Sequence, residues 1–443
     1  MSETWLWMTA AELGRGIEAG TIDPRDLTEA YLGAAAAHRD TARIFTHPMP
    51  ERARAEAAAA AERAKLGLRR SPLDGVPVSW KDLFDAVGAP CEAGSALLKD
   101  RRPERDAEVL RVATAEGLIC LGKTHMSELA FSGLGLNPVT ATPPCVNDAE
   151  AVPGGSSSGA AASVAHGIAA AGVGSDTGGS ARVPAAWNDL VGLKTTSGRL
   201  PLEGVVPLCA RFDTVGPLTR SVEDAALLLA AMEGRKASDL SGVALSGARL
   251  AVFRSPSVEE LRETPADAFG SALARLERAG ATVSDLNFPE FERAMDLTGV
   301  LYPSEAYGIW RETIEAAPHL MFAEILARFR GGADVLASDY VAAWRTVDAV
   351  RAAYAEASSG FDAVLIPTAP TLPPSRKRLL EDEDYYKTEN LYALRNTRVG
   401  NLLGLCAVTL PTGVPSCGIS LMAGPMEEER LLRLSAAAER ALA

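Results

Sequence analysis

Positive charge is in short supply in this chain. Lysine and arginine number 44 against 57 aspartates and glutamates, a formal net charge of −13. Nucleic acids and anionic membranes need a basic surface, so neither is expected as a main partner. Histidine is scarcer still: the five residues, at 38, 47, 125, 166 and 319, show no HExxH spacing, and no metal is expected. Six cysteines, at 91, 120, 145, 209, 406 and 417, form no CxxC, which points to reduced thiols in a cytoplasmic protein. Residues 1–20 show no basic stretch followed by an apolar one, and every alanine-rich segment is broken by charge. Neither a secretory signal nor a membrane-spanning helix is therefore expected.

What the chain does have is apolar material, 47% of 443 residues, enough for a sizeable core. It also has small residues concentrated at one place, residues 153–184, PGGSSSGAAASVAHGIAAAGVGSDTGGSARVP. Two glycine-serine clusters, at 154–159 and 177–180, flank an almost uncharged run. Its first half, 160–168, predicts a helix, and its second half, 169–175, a short buried strand. A glycine turn then carries Ser180, with Pro184 placed where a helix can begin. On such a strand-to-helix turn the backbone N–H groups around Gly178, Gly179 and Ser180 can converge on a developing oxyanion.

Upstream, residues 24–37 and 51–66 predict helices, the second solvent-facing. Residues 73–79 alternate as a strand that delivers Lys81, followed by a helix at 106–116. Residues 117–124, GLICLGKT, match the phosphate-loop pattern, but 118–121 are themselves strand rather than bare turn. Lys123 is accordingly read as a structural strand-end residue. Residues 155–159 match GxSxG and make Ser157 an alternative nucleophile, which would need His166 or His319 as partner. Downstream, Ser221 caps a helix, residues 235–247 connect, and strands at 250–253 and 281–286 flank a helix at 265–279. The aromatic segment 301–310 is core packing or a pocket wall. Residues 376–390 predict a solvated loop or a lid, residues 361–367 a strand, and 427–442 a closing helix.

GGSSSG, then SDTGGSAR, with Lys81 after a short strand, resembles the amidase signature family of serine hydrolases. The resemblance implies an amidase signature fold of the α/β class: a large mixed, twisted β-sheet covered by helices on both faces, an α/β/α sandwich. The resemblance runs from about Thr9 to the C-terminus, and the expected domain is single, residues 1–443, with a signature core at about 73–217, a helical part at 1–70 and a substrate-pocket half at 248–443. It implies Ser180 as nucleophile, Ser156 on a cis peptide as bridging serine, and Lys81 as base. The oxyanion hole falls to the backbone of Thr177, Gly178, Gly179 and Ser180, with Ser157, Asp176 and Arg182 in support and no cofactor. Lys81 can act as a base only if burial keeps its amine neutral. The expected activity is hydrolysis of a carboxamide through a Ser180 acyl-enzyme, the partner being a small-molecule amide and the assembly open to a homodimer. The alternative is the amidase subunit of a tRNA-dependent amidotransferase. Two departures stand out: Asp189 where the family has glycine, and Thr195 in place of proline.

Overall fold

The computed structural model describes residues 2–443. Eleven strands build one mixed sheet: β1 (Phe45–Pro48), β2 (Pro77–Lys81), β3 (Ile119–Thr124), β4 (Ala171–Ser175), β5 (Val191–Lys194), β6 (Val215–Thr219), β7 (Arg249–Arg254), β8 (Thr282–Asn287), β9 (Ala363–Pro367), β10 (Cys406–Pro411) and β11 (Gly418–Ala423). Their spatial order is β1-β3-β2-β4-β6-β5-β10-β11-β9-β7-β8. Strand β2 runs parallel to both β3 and β4, and β7 runs parallel to both β8 and β9, while the pairs between these blocks are antiparallel. Every residue of β2, β3, β4, β5, β6, β9 and β11 is buried. Helices therefore cover both faces of the sheet, as the near-continuous apolar strands require.

The parallel β2–β4 pair positions the site. Trp80 pairs with Val173, so Lys81 and Ser175 leave the sheet side by side at the carboxyl ends of their strands, where open α/β sheets bind ligands. The helix Ser158–Ala165 packs across this pair. Ser79, two residues before Lys81 and so on the same face, shares a 2.8 Å hydrogen bond with Ser163 of that helix. Gly174 permits the close approach: a Cβ there would lie 2.5 Å from Ser157 Oγ and 2.8 Å from Leu218 Cδ1.

Most expected elements are present with shifted ends. The strand expected at 73–79 begins only at Pro77, because Val76 N–H closes a turn onto Leu73 O. The helix expected at 51–66 is Pro50–Lys65, and it is not wholly solvent-facing: Ala53, Ala57, Ala60 and Ala61 are buried. The Ser221 cap holds, its Oγ accepting from Asp224 N. Residues 376–390 are not a loop. They form the helices Arg376–Glu381 and Glu383–Ala393, capped by Ser375 and Asp382. The mixed charges that suggested solvation include one i,i+4 ion pair on each helix, Lys377 with Glu381 and Lys387 with Glu383, while Tyr386, Glu389 and Asn390 are buried. The aromatic segment at 301–310 lies within the helix Thr298–Ala316, which continues past Pro303. With Ala323–Arg330 and Ala337–Ser358 it forms a helical layer that no pattern in the sequence had marked. All six cysteines are free and buried. Among the described residues no helix is long and apolar enough to cross a membrane.

Gly174→Ala should lower stability by about 1–3 kcal/mol through overpacking. Gly270→Ala, in an exposed helix position with open space around it, should be neutral or stabilising by up to about 1 kcal/mol. Urea denaturation of both variants checks the contrast.

Candidate active site

Lys81 is fully buried at the end of β2. Its Nζ lies 2.6 Å from Ser156 Oγ, 3.1 Å from Ser157 Oγ and 2.8 Å from Ser175 Oγ. Among the described residues no carboxylate touches it. Burial pulls its pKa down to about 7, with the charges of Asp213 and Asp176 acting in the opposite sense. Ser156 follows a cis Gly155–Ser156 peptide, and the two glycine-serine clusters meet where Ser157 N–H donates to Ser180 O (3.2 Å).

Ser180 sits on the turn between β4 and the helix Arg182–Trp187. Asp176 organises that turn. It accepts from Gly179 N–H at 2.9 Å and Ala181 N–H at 3.2 Å, and it is bridged by Arg182 Nε and Nη2, both at 2.9 Å. Burial alone would raise the Asp176 pKa, but the Arg182 charge and hydrogen bonds overcome it and hold the carboxyl well below the usual range. Arg182 also donates to Thr397 O and Asn401 Oδ1, and Thr397 Oγ1 donates to Gly178 O at 2.7 Å. Gly179 N–H is thus committed to Asp176. Thr177, Gly178 and Ser180 keep backbone N–H groups with no partner among the described residues. These three residues, unlike Gly179, line a cavity of about 260 Å³. Its other walls include Phe131, Leu208, Tyr302, Arg328, Leu394 and Arg398. Ser180 lines it and makes no side-chain hydrogen bond to Ser156 among the described residues, whereas Ser156 Oγ is bonded to Lys81 Nζ.

The alternative sites separate from this one. Ser157 is engaged with Lys81 and Ser175, its Oγ donating to Ser175 O, and no histidine reaches it. His166 packs against His38 with the rings tilted, their centroids 5.1 Å apart, and His319 is exposed. Lys123 pairs with Asp82 at 3.0 Å, both buried, and is not free for a phosphate. The second buried lysine downstream, Lys194, spends its ammonium on the carbonyls of Thr195 and Leu405. Thr195 Oγ1 caps Val215 O, an interaction proline could not make. Asp189 adopts a left-handed φ of 55°, the backbone that favours glycine. Its carboxylate secures that turn by accepting from Ser416 N–H and Asn147 Nδ2.

Sequence reasoning missed several residues. Ser175, the last residue of β4, could have been found because it directly precedes the Asp176 turn. Asp213, which accepts from Thr177 Oγ1 at 2.5 Å and from the N–H groups of Leu208 and Cys209, carries no local signal. Neither do Arg328, Thr397, Arg398 and Asn401, which come from the distant helical half.

A family model described as Amidase matches residues 26–432. The chain belongs to the amidase family. It is 35% identical to the 2-amino-5-chloromuconic acid deaminase of Comamonas testosteroni, over 97% of this chain and 96% of that protein. It is 33% identical to a glutamyl-tRNA(Gln) amidotransferase subunit of Anaeromyxobacter dehalogenans, covering 97% and 95%. Among solved structures, one described as an amidase superposes with a TM-score of 0.88 at 31% identity, covering 98% of this chain and all of that one. The protein is thus an enzyme of a family that hydrolyses C–N bonds, with the mixed-sheet fold expected from its sequence.

Asp176→Asn should strip the buried Arg182 of its counter-charge and cost about 3–5 kcal/mol. The double variant Asp176→Asn/Arg182→Met should recover part of that loss. Guanidinium denaturation of the two variants measures both effects.

Proposed function

We propose that this enzyme hydrolyses a linear carboxamide through an acyl-enzyme on Ser180, with Lys81 as base and Ser156 as proton relay. The observation that carries this reading is the buried Lys81 amine, 2.6 Å from Ser156 Oγ with no carboxylate in contact. A neutral amine has two N–H bonds, which Ser157 Oγ and Ser175 Oγ can accept, and one lone pair left for the Ser156 hydroxyl proton. As the Ser180 hydroxyl turns toward Ser156, its proton passes to Ser156 while the Ser156 proton passes to Lys81. Ser180 Oγ then attacks the amide carbon. The tetrahedral oxyanion is served by the N–H groups of Thr177, Gly178 and Ser180, which have no other partner. Collapse returns the proton through Ser156 to the leaving nitrogen, releasing ammonia or an amine. Water enters by the same relay to free the acid. Asp176 and Arg182 act only on the shape of the turn.

The second reading, an amidotransferase component that takes ammonia from glutamine, draws on the similarity to the Anaeromyxobacter protein. It requires partner subunits, whereas a stand-alone amidase does not. Purified alone, the protein should release ammonia from simple amides, and a fluorophosphonate should label Ser180 rather than Ser157. Ser180→Ala and Lys81→Ala should each lower kcat/KM by at least about 1,000-fold, and Ser156→Ala by less, since water can partly replace a relay. Labelling of Ser157, or normal turnover by Lys81→Ala, would contradict the assignment.

A further inference from the structure

Two arginines in the wall of the Ser180 cavity have nothing to bind. Arg398, at the start of the helix Arg398–Leu402, is 8% exposed, and its side chain makes no ion pair or hydrogen bond among the described residues. Arg328, on the helix Ala323–Arg330, likewise has no carboxylate partner. Its guanidinium sits 4.5 Å from the centroid of the Phe131 ring, with Nε buried and unsatisfied. Tyr302, in the same wall, has a buried hydroxyl without a partner. Elsewhere the buried arginines are well matched: Arg182 to Asp176, and Arg199 to Glu233, Glu428 and Glu429. Buried charge is normally paired, because leaving water uncompensated is expensive. Among the described residues no aspartate or glutamate lines this cavity, in a chain whose net charge is −13.

Resting on the amidase reading above, the geometry points to a substrate that carries a carboxylate, held by Arg328, Arg398 and the Tyr302 hydroxyl while its amide lies at Ser180. Planar guanidinium groups suit a carboxylate, which both can approach with paired N–H donors. Phe131, Leu208 and Leu394 supply apolar wall in the same cavity. The cavity, about 260 Å³, is small beside the roughly 300–1,000 Å³ of drug-sized sites, so the substrate is a short acid-amide. The wall also selects against an amino-acid amide such as glutamine, whose α-ammonium would meet two positive charges and no carboxylate. The mutual repulsion is visible in Arg328 itself, pulled down to about 10 by burial and by the Arg398 charge.

The test compares half-amides of dicarboxylic acids of increasing chain length with the matching neutral diamides, in the wild type, Arg328→Met, Arg398→Met and Arg328→Lys. At least one half-amide should exceed its diamide in kcat/KM by about 100-fold or more, since buried donors left unpaired penalise the neutral analogue. In both methionine variants that ratio should fall toward one, with Arg328→Lys intermediate. Removing an unpaired buried charge should leave the melting temperature of Arg398→Met unchanged or raised, which separates lost recognition from lost folding. Calorimetric binding of the matching dicarboxylates to Ser180→Ala protein, with and without Arg398→Met, gives a readout independent of turnover. If no amide is cleaved, the amidase reading fails, yet dicarboxylate binding lost with Arg398→Met still supports the anion site. The proposal is overturned if the wild type prefers the diamides, if both methionine variants keep its ratio, or if dicarboxylate binding is absent or indifferent to Arg398.

Discussion

An amine buried without a counter-charge is the constraint on which the rest of this structure turns. Lys81 is solvated by three serine hydroxyls instead of a carboxylate, and burial lowers its pKa from 10.5 to about 7. That shift amounts to roughly 5 kcal/mol in favour of the neutral form. Because the folded value lies below the unfolded one, the group subtracts stability most fully below pH 7, and the penalty shrinks as pH rises toward the unfolded value. The surroundings accommodate this arrangement. Small residues let the helix Ser158–Ala165 lie against β2 and β4, and Asp213 and Asp176 stand near enough to be felt but not to bond.

The distribution of paired and unpaired charge divides scaffold from chemistry. Asp176 with Arg182 and Asp82 with Lys123 are buried, matched and rigidifying. They hold the turn that carries Ser180 and the strand ends beneath it. Among the described residues Arg328, Arg398 and the Lys81 amine have no carboxylate partner; the two arginines line the cavity that Ser180 also lines, and Lys81 contacts Ser156. A fold that leaves two arginines and an amine without carboxylate partners gives up stability there, a pattern expected at functional sites.

How much of this was legible in the sequence depended on how local the signal was. Lys81, Ser156, Ser180, Asp176 and Arg182 sit in short motifs that resemble the amidase signature, and it was that resemblance that joined the distant Lys81 to the two glycine-serine clusters. The parallel strands β2, β3 and β4 were readable because their signal was local. The helix Thr298–Ala316 was hidden by Pro303 and two glycines, and Glu383–Ala393 by charges that proved to be surface ion pairs. Asp213 and Arg398 reach the site only through tertiary packing, and no periodicity marks a residue that will end up unpaired. Gly179 shows a finer limit: its place in the motif says nothing of its N–H, which Asp176 takes.

The central claim is that a neutral Lys81 draws the proton from Ser180 through Ser156. Its most direct test is the rate of Ser180 acylation, followed by stopped flow across pH 5 to 10 with a chromogenic amide. Lysine is competent only when deprotonated, so the rate should climb with pH as a single ionisation near 7 and then level off. A rate that stays flat through that range, or a rise that persists unchanged in Lys81→Ala, would contradict the account.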